Sequence, residues 1–104
     1  MAIVNTVADT APTTVYTSNG NTAITFMSLC NFTEFAQEVS IYIVPLGNTP
    51  GLDNIVIASL ELTPKNTYEF YHGAEKLILA DGDYIAVSST DPGSVSVFVS
   101  YTGF

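Results

Sequence analysis

An all-β fold, an antiparallel β-sandwich of jelly-roll or Ig-like type with about eight strands and no substantial helix, is what this sequence predicts. Three observations lead there. Short runs rich in Val, Ile, Thr, Tyr and Phe recur along the 104 residues. Clusters of Gly, Pro, Asn and Asp separate them at regular intervals, each with its own reason to turn the chain: positive φ, a preset φ, or a local side-chain bond to the backbone. Within several runs the side chains alternate with the two-residue period of a strand.

Taken in order, strands are expected over 13–17, 22–32, 39–46, 54–62, 67–71, 76–79, 83–89 and 94–101. The turns between them are SNGN (18–21), GNTPG (47–51), TPKN (63–66), His72-Gly73, Asp81-Gly82 and TDPG (90–93). These gaps leave no room for the helices of a βαβ unit. The one possible helical turn, 34–38, is read as a connection. Residues 1–12 form an N-terminal arm or an ordinary edge strand, and 13–104 a single sandwich domain.

Alternation assigns the faces. Val95, Val97, Val99 and Tyr101 share one side of the last run, with Ser94, Ser96, Phe98 and Ser100 on the other. Ile85 and Val87 point inward, and Tyr84, Ala86 and Ser88 outward. Val39, Ile41 and Ile43 form one row of their strand and Tyr42, Val44 and Leu46 a second. A strand apolar on both faces belongs at the centre of a sheet or under another subunit. In 22–32, Ile24, Phe26 and Ser28 are assigned one face and Met27, Leu29 and Asn31 the other, with Cys30 following an inward row.

Composition narrows the function classes. Ten acidic residues against two lysines give a formal charge of −8, and charged residues make up 12% of the chain. That balance repels phosphate and anionic lipid, so neither a nucleic acid nor a membrane surface is an expected partner. No run approaches the roughly 18 apolar residues of a membrane span. The first residues carry no basic segment of a signal peptide. Charges are absent from 10–33, 39–52 and 92–104, and both lysines fall between 65 and 76. Several strands therefore lack the lysines that commonly guard a sheet edge. Faces and edges of this kind are expected to be covered by copies of the chain or by a partner.

The candidate chemical groups read mainly as structure. Cys30 is alone, which rules out an internal disulfide or a cysteine metal cage, and it behaves as a small hydrophobe. In SLCNFTEF (28–35) the Asn31-Phe-Thr33 triplet matters only to a secreted glycoprotein, so the stretch is read as ending one core strand and turning toward the next. Asp81 and Asp83 flank a glycine but lack the remaining ligands of a calcium loop, which leaves a tight turn. Glu61 and Glu69 flank the 63–66 turn and would pair as glycosidase acids only beside an aromatic-lined cleft. His72 alone makes neither a metal site nor a proton relay. No catalytic residue, cofactor or metal is expected. The outward aromatics Tyr71, Tyr84 and Phe98, together with Tyr42, are the candidate interface residues, against the plainer reading that they cover their own sheet.

The order ITFMSLCN (24–31), VSIYIVP (39–45), the 47–51 turn, LEL (60–62), TYEF (67–70), KLIL (76–79) and ADGDYIA (80–86) resembles small β-sandwich virion proteins of tailed bacteriophages, including cyanophages. The likeness spans residues 13–101 and lies in strand texture rather than in a catalytic motif. It implies a virion structural protein, made in the host cytoplasm, most simply a capsid decoration or cement subunit. Its implied partners are the major capsid protein or other virion proteins, bound as a homo-oligomer or on a lattice. A neck, tail or fibre-base subunit is the near alternative. A carbohydrate- or receptor-binding sandwich module is the more distant one. The resemblance implies no cofactor.

Overall fold

The computed structural model describes residues 2–70 and 77–103, and these contain nine strands and no helix. They are β1 (Ala2–Val7), β2 (Thr13–Thr17), β3 (Thr22–Asn31), β4 (Gln37–Val44), β5 (Ile55–Leu62), β6 (Thr67–Phe70), β7 (Leu77–Leu79), β8 (Tyr84–Ser89) and β9 (Val95–Gly103). One sheet has the order β1-β9-β3-β6, with β7 also on β3; the other is β2-β8-β4-β5, and all strand pairs are antiparallel. The expected sandwich is therefore what forms.

The pairing distinguishes the two expected types. β4 and β5 are neighbours in the chain and pair as a hairpin, and outside them β3 pairs β6, β2 pairs β8 and β1 pairs β9. The chain is a long hairpin folded over on itself so that successive partners fall in alternate sheets. That wrapping is a jelly roll, not the Ig-like arrangement. Residues 2–7 form the edge strand of the larger sheet, paired with β9 over six residues without a shift in register. Residues 34–36 are a non-helical link, and Gln37 and Glu38 already belong to β4. β4 keeps its expected length but starts and ends two residues earlier than expected, and β5 starts one residue later, so Leu46 and Asn54 lie in the loop between them. The expected strand positions Tyr71 and Lys76 lie outside the described residues.

The core sits between the sheets. Ile24, Met27, Leu29, Leu79, Val95, Val97 and Val99 from one layer meet Val39, Ile41, Leu62, Ile85 and Val87 from the other, all buried. Tyr16 and Tyr101 stack across the gap at one end, with ring centroids 4.2 Å apart. β4 lies inside its sheet, as its two apolar rows require, and Val44 on its outer row is fully buried.

One assignment needs correction. Ile24 and Met27 are both core residues although they are an odd number of positions apart. The register explains this: Ile24 is opposite Tyr101 and Phe26 is opposite Ser100, so Thr25 is an extra residue in β3. This β-bulge turns every later side chain to the other face. Phe26, Ser28 and Cys30 consequently lie outward and half-buried, while Ile24 stays inward. Thr25 is held there by its hydroxyl, which lies 3.1 Å from the Ser100 carbonyl and 3.0 Å from the Ser100 hydroxyl.

Candidate functional site

No pocket opens among the described residues, so the groups of interest lie on faces, edges and turns. At one end of the sandwich, Asp81-Gly82-Asp83 ties three turns together. The Asp83 carboxylate accepts from the Leu46 and Ala80 amides at 3.0 Å each, and Asp81 accepts from the Gly20 amide at 2.7 Å. Between them Gly82, at a φ of 86°, donates its amide to Ser18 O at 2.9 Å. These carboxylates already serve as backbone acceptors, and no group of three or more potential metal-ligating side chains forms among the described residues. Asp83→Ala is expected to lower stability by about 1–2 kcal/mol through lost charge-assisted bonds. In a thermal melt this appears as a fall of several degrees, with the wild-type midpoint unmoved by added calcium.

At the opposite end Asn31 is fully buried and fully used. Its Nδ2 donates to the carbonyls of Phe35 (2.7 Å), Leu62 (3.0 Å) and Thr63 (3.3 Å). Its Oδ1 accepts from the Thr33 amide (3.0 Å) and the Thr33 hydroxyl (2.7 Å). SLCNFTEF thus ends β3 in a polar knot that joins two connections. Nearby, Gln37 and Asp91 exchange a pair of bonds at 3.1 and 3.2 Å. Among the described residues no buried side-chain nitrogen or oxygen is left without a partner.

The remaining chemical candidates are separated by the topology. Glu61 is on β5 and Glu69 on β6, in different sheets, so the turn between them does not bring them together; across the β4–β5 ladder Glu61 faces Glu38 instead. Cys30 has Ser96 and Thr67 as its register neighbours. His72 and Tyr71 lie outside the described residues.

The aromatic candidates divide between two surfaces. Tyr42 and Tyr84 are diagonal neighbours on the outer face of the four-stranded sheet, where Tyr42 is opposite Ala86 and Tyr84 opposite Val44. Both are half-buried, and the Tyr84 hydroxyl donates to Asn48 O at 3.1 Å. Tyr84 is thereby committed to its own fold. Phe98 lies on the far side of the molecule, on the outer face of the larger sheet, and is 43% exposed. The three described candidates do not make one patch.

Around Phe98 the register defines a grid that reading residues one strand at a time did not find. Val7, Ser96 and Cys30 stand side by side in one row, Asn5, Phe98 and Ser28 in the next, and Ile3, Ser100 and Phe26 in the third. None of the nine carries a charge, on a chain with ten acidic residues. Ile3 is 69% and Val7 45% exposed. At about 4.8 Å between strands and about 6.8 Å between same-face residues, the grid spans roughly 300 Å². Among the described residues, the first charge beyond it is Glu69, beside Ser28. The missed signal was the alternation Ile3-Asn5-Val7, visible only if residues 2–7 are read as a strand. No family model, curated protein or solved structure matches the chain.

Proposed function

We propose that this chain is a structural subunit of a tailed-phage virion, a decoration or cement protein that lays the outer face of its five-stranded sheet on the head shell. The observation that carries the reading is the uncharged grid centred on Phe98, with Ile3 and Val7 open beside it. Burial of such a surface contributes about 25 cal/mol per Å², before the costs of ordering are subtracted. One face of this size binds weakly. On a repeating lattice, many weak attachments hold together through high local concentration.

Two further features support the reading. The polar knot at Asn31 and the three-turn clip at Asp81 and Asp83 brace both ends, as suits a component that carries load rather than one that must open. The jelly-roll wrapping is shared by capsid domains and also by lectins and cupins, so it counts as fold-level analogy only. The net charge disfavours close approach of free subunits except through uncharged surfaces.

Counting this chain against the major capsid protein in purified particles, by mass spectrometry, tests the assignment. Comparable copy numbers are expected. A handful of copies would move the chain to the neck, tail or fibre base, and complete absence would overturn the virion reading. The face is tested separately by Phe98→Asp, expected to weaken attachment to undecorated shells at least tenfold while shifting the melting temperature by only a few degrees. Unchanged attachment would reject this face.

A further inference from the structure

The four sheet edges are not equally defended. β2 has a register shift between Thr14 and Tyr16. β5 has two shifts against β4, and Ser59 within it takes a φ of 52°. β6 has four described residues, carries Glu69 and follows Pro64-Lys65, and β7 has three described residues. Bulges, charges and short length are the usual protections against strand addition. β1 has none of them: six uncharged residues, no proline and an unbroken register with β9.

The hydrogen-bonding direction of this edge can be worked out. Ala8 donates to Val95 O at 2.9 Å and accepts from the Gly93 amide at 3.2 Å, so its polar groups face the β9 side. In an antiparallel ladder alternate residues face alternate sides. Thr6 and Val4 therefore address β9, and the N–H and C=O groups of Ile3, Asn5 and Val7 point away from it. The same three residues supply the outward side chains of the grid. A strand that pairs with this edge must use them.

We propose that the edge pairs with β1 of a second copy, antiparallel, about a two-fold axis at Asn5. A two-fold contact must be self-complementary, and the row Ile3-Asn5-Val7 reads the same in both directions: apolar, amide, apolar. In this register Asn5 faces Asn5 of the second copy, Ile3 faces Val7 and Val4 faces Thr6, and about six N–H···O bonds close the ladder. A slip of one residue would set inward against outward side chains and leave the backbone groups misaligned. Charge points to the same occupant. A basic partner would be drawn to the carboxylates elsewhere, whereas two chains of charge −8 can approach closely only where neither presents an acid. The contact joins two uncharged grids into one continuous face.

The size of the contact sets its strength. Six residues give roughly 20 Å of edge, and with a sheet about 10 Å thick each copy contributes on the order of 200 Å². A stable interface takes about 800 Å² from each partner. The dimer is consequently weak and concentration-dependent. Because it is a property of the edge, it stands whether or not the chain decorates a shell.

Sedimentation velocity from micromolar to millimolar protein tests the pairing, with Asn5→Asp and Asn5→Lys as variants. Wild type is expected to shift from monomer toward dimer. Each variant sets like charges against each other at the axis and is expected to dimerise at least tenfold more weakly, with an unchanged far-ultraviolet spectrum. Mixing the two variants restores association, because opposite charges then meet. A wild-type chain that stays monomeric at millimolar concentration overturns the proposal. So does a dimer that neither variant weakens, or variants that fail to rescue each other on mixing.

Discussion

Asn31→Asp is expected to cost about 3–5 kcal/mol of folding stability at neutral pH, the size of effect seen when a buried charge is left without compensation. Asn31 is fully buried, and its NH₂ group faces three carbonyl oxygens while its oxygen faces two donors. A carboxylate keeps the Thr33 bonds but directs a second anionic oxygen at those carbonyls. Protonation relieves this, since the neutral acid regains one O–H donor for the carbonyl side. The new group's folded pKa therefore lies above its unfolded value, and the sign follows. The variant is least impaired at low pH and loses further stability as pH rises through its folded pKa. Urea unfolding of variant and wild type at pH 4 and pH 7 measures the gap at each. A gap that does not widen with pH would contradict the arrangement of the knot. Asn31→Ala, which removes the donors without adding charge, is expected to cost about 2–3 kcal/mol at both.

Deleting Thr25 is expected to be as damaging, for a geometric reason. Its extra position in β3 allows Ile24 and Met27 both to face the core. Without it, regular alternation turns out either Ile24 or the set Met27, Leu29 and Asn31. Loss of even one large core side chain costs roughly 3 kcal/mol or more. Thr25→Ala, which keeps the residue count and loses only the Ser100 bonds, is expected to cost about 1 kcal/mol. Circular dichroism melts of the two variants separate the count from the side chain. A deletion no worse than the alanine variant would mean the bulge can move along β3.

The same bulge marks where sequence reading reached its limit. Most strands and turns were legible because Gly, Pro, Asn and Asp punctuate them and because Val95-Val97-Val99 and Ile85-Val87 alternate cleanly. β4 was legible as a central strand from its two apolar rows. In β3 both faces are also apolar, so an inserted residue leaves no trace in the alternation; Ile24 was grouped with Phe26, and Cys30 was turned inward. The candidate surface was harder still. Phe98 was correctly read as outward, but whether it shares a face with Tyr42 and Tyr84 depends on sheet membership, which is fixed by pairings between residues far apart in the chain. β9 lies between β1 and β3, and nothing local to Phe98 reveals that Ile3 and Phe26 are near it.

The nested hairpin has a consequence for synthesis. β9 is the strand that joins β1 to the rest of its sheet, and β8 does the same for β2. Until residues 84–103 have left the ribosome, β1 has no described strand partner and the two layers cannot close over Ile41, Leu29 and Met27. At roughly 5–20 residues per second, the nascent chain spends several seconds with these apolar strands unsealed. β4–β5 and β3–β6 can pair early, but β1 and β2 join their sheets only when β9 and β8 arrive, so the sandwich closes once the chain is long enough to wrap once and shut. During that interval the surplus of carboxylates offers protection of another kind, mutual repulsion between neighbouring nascent chains on one message.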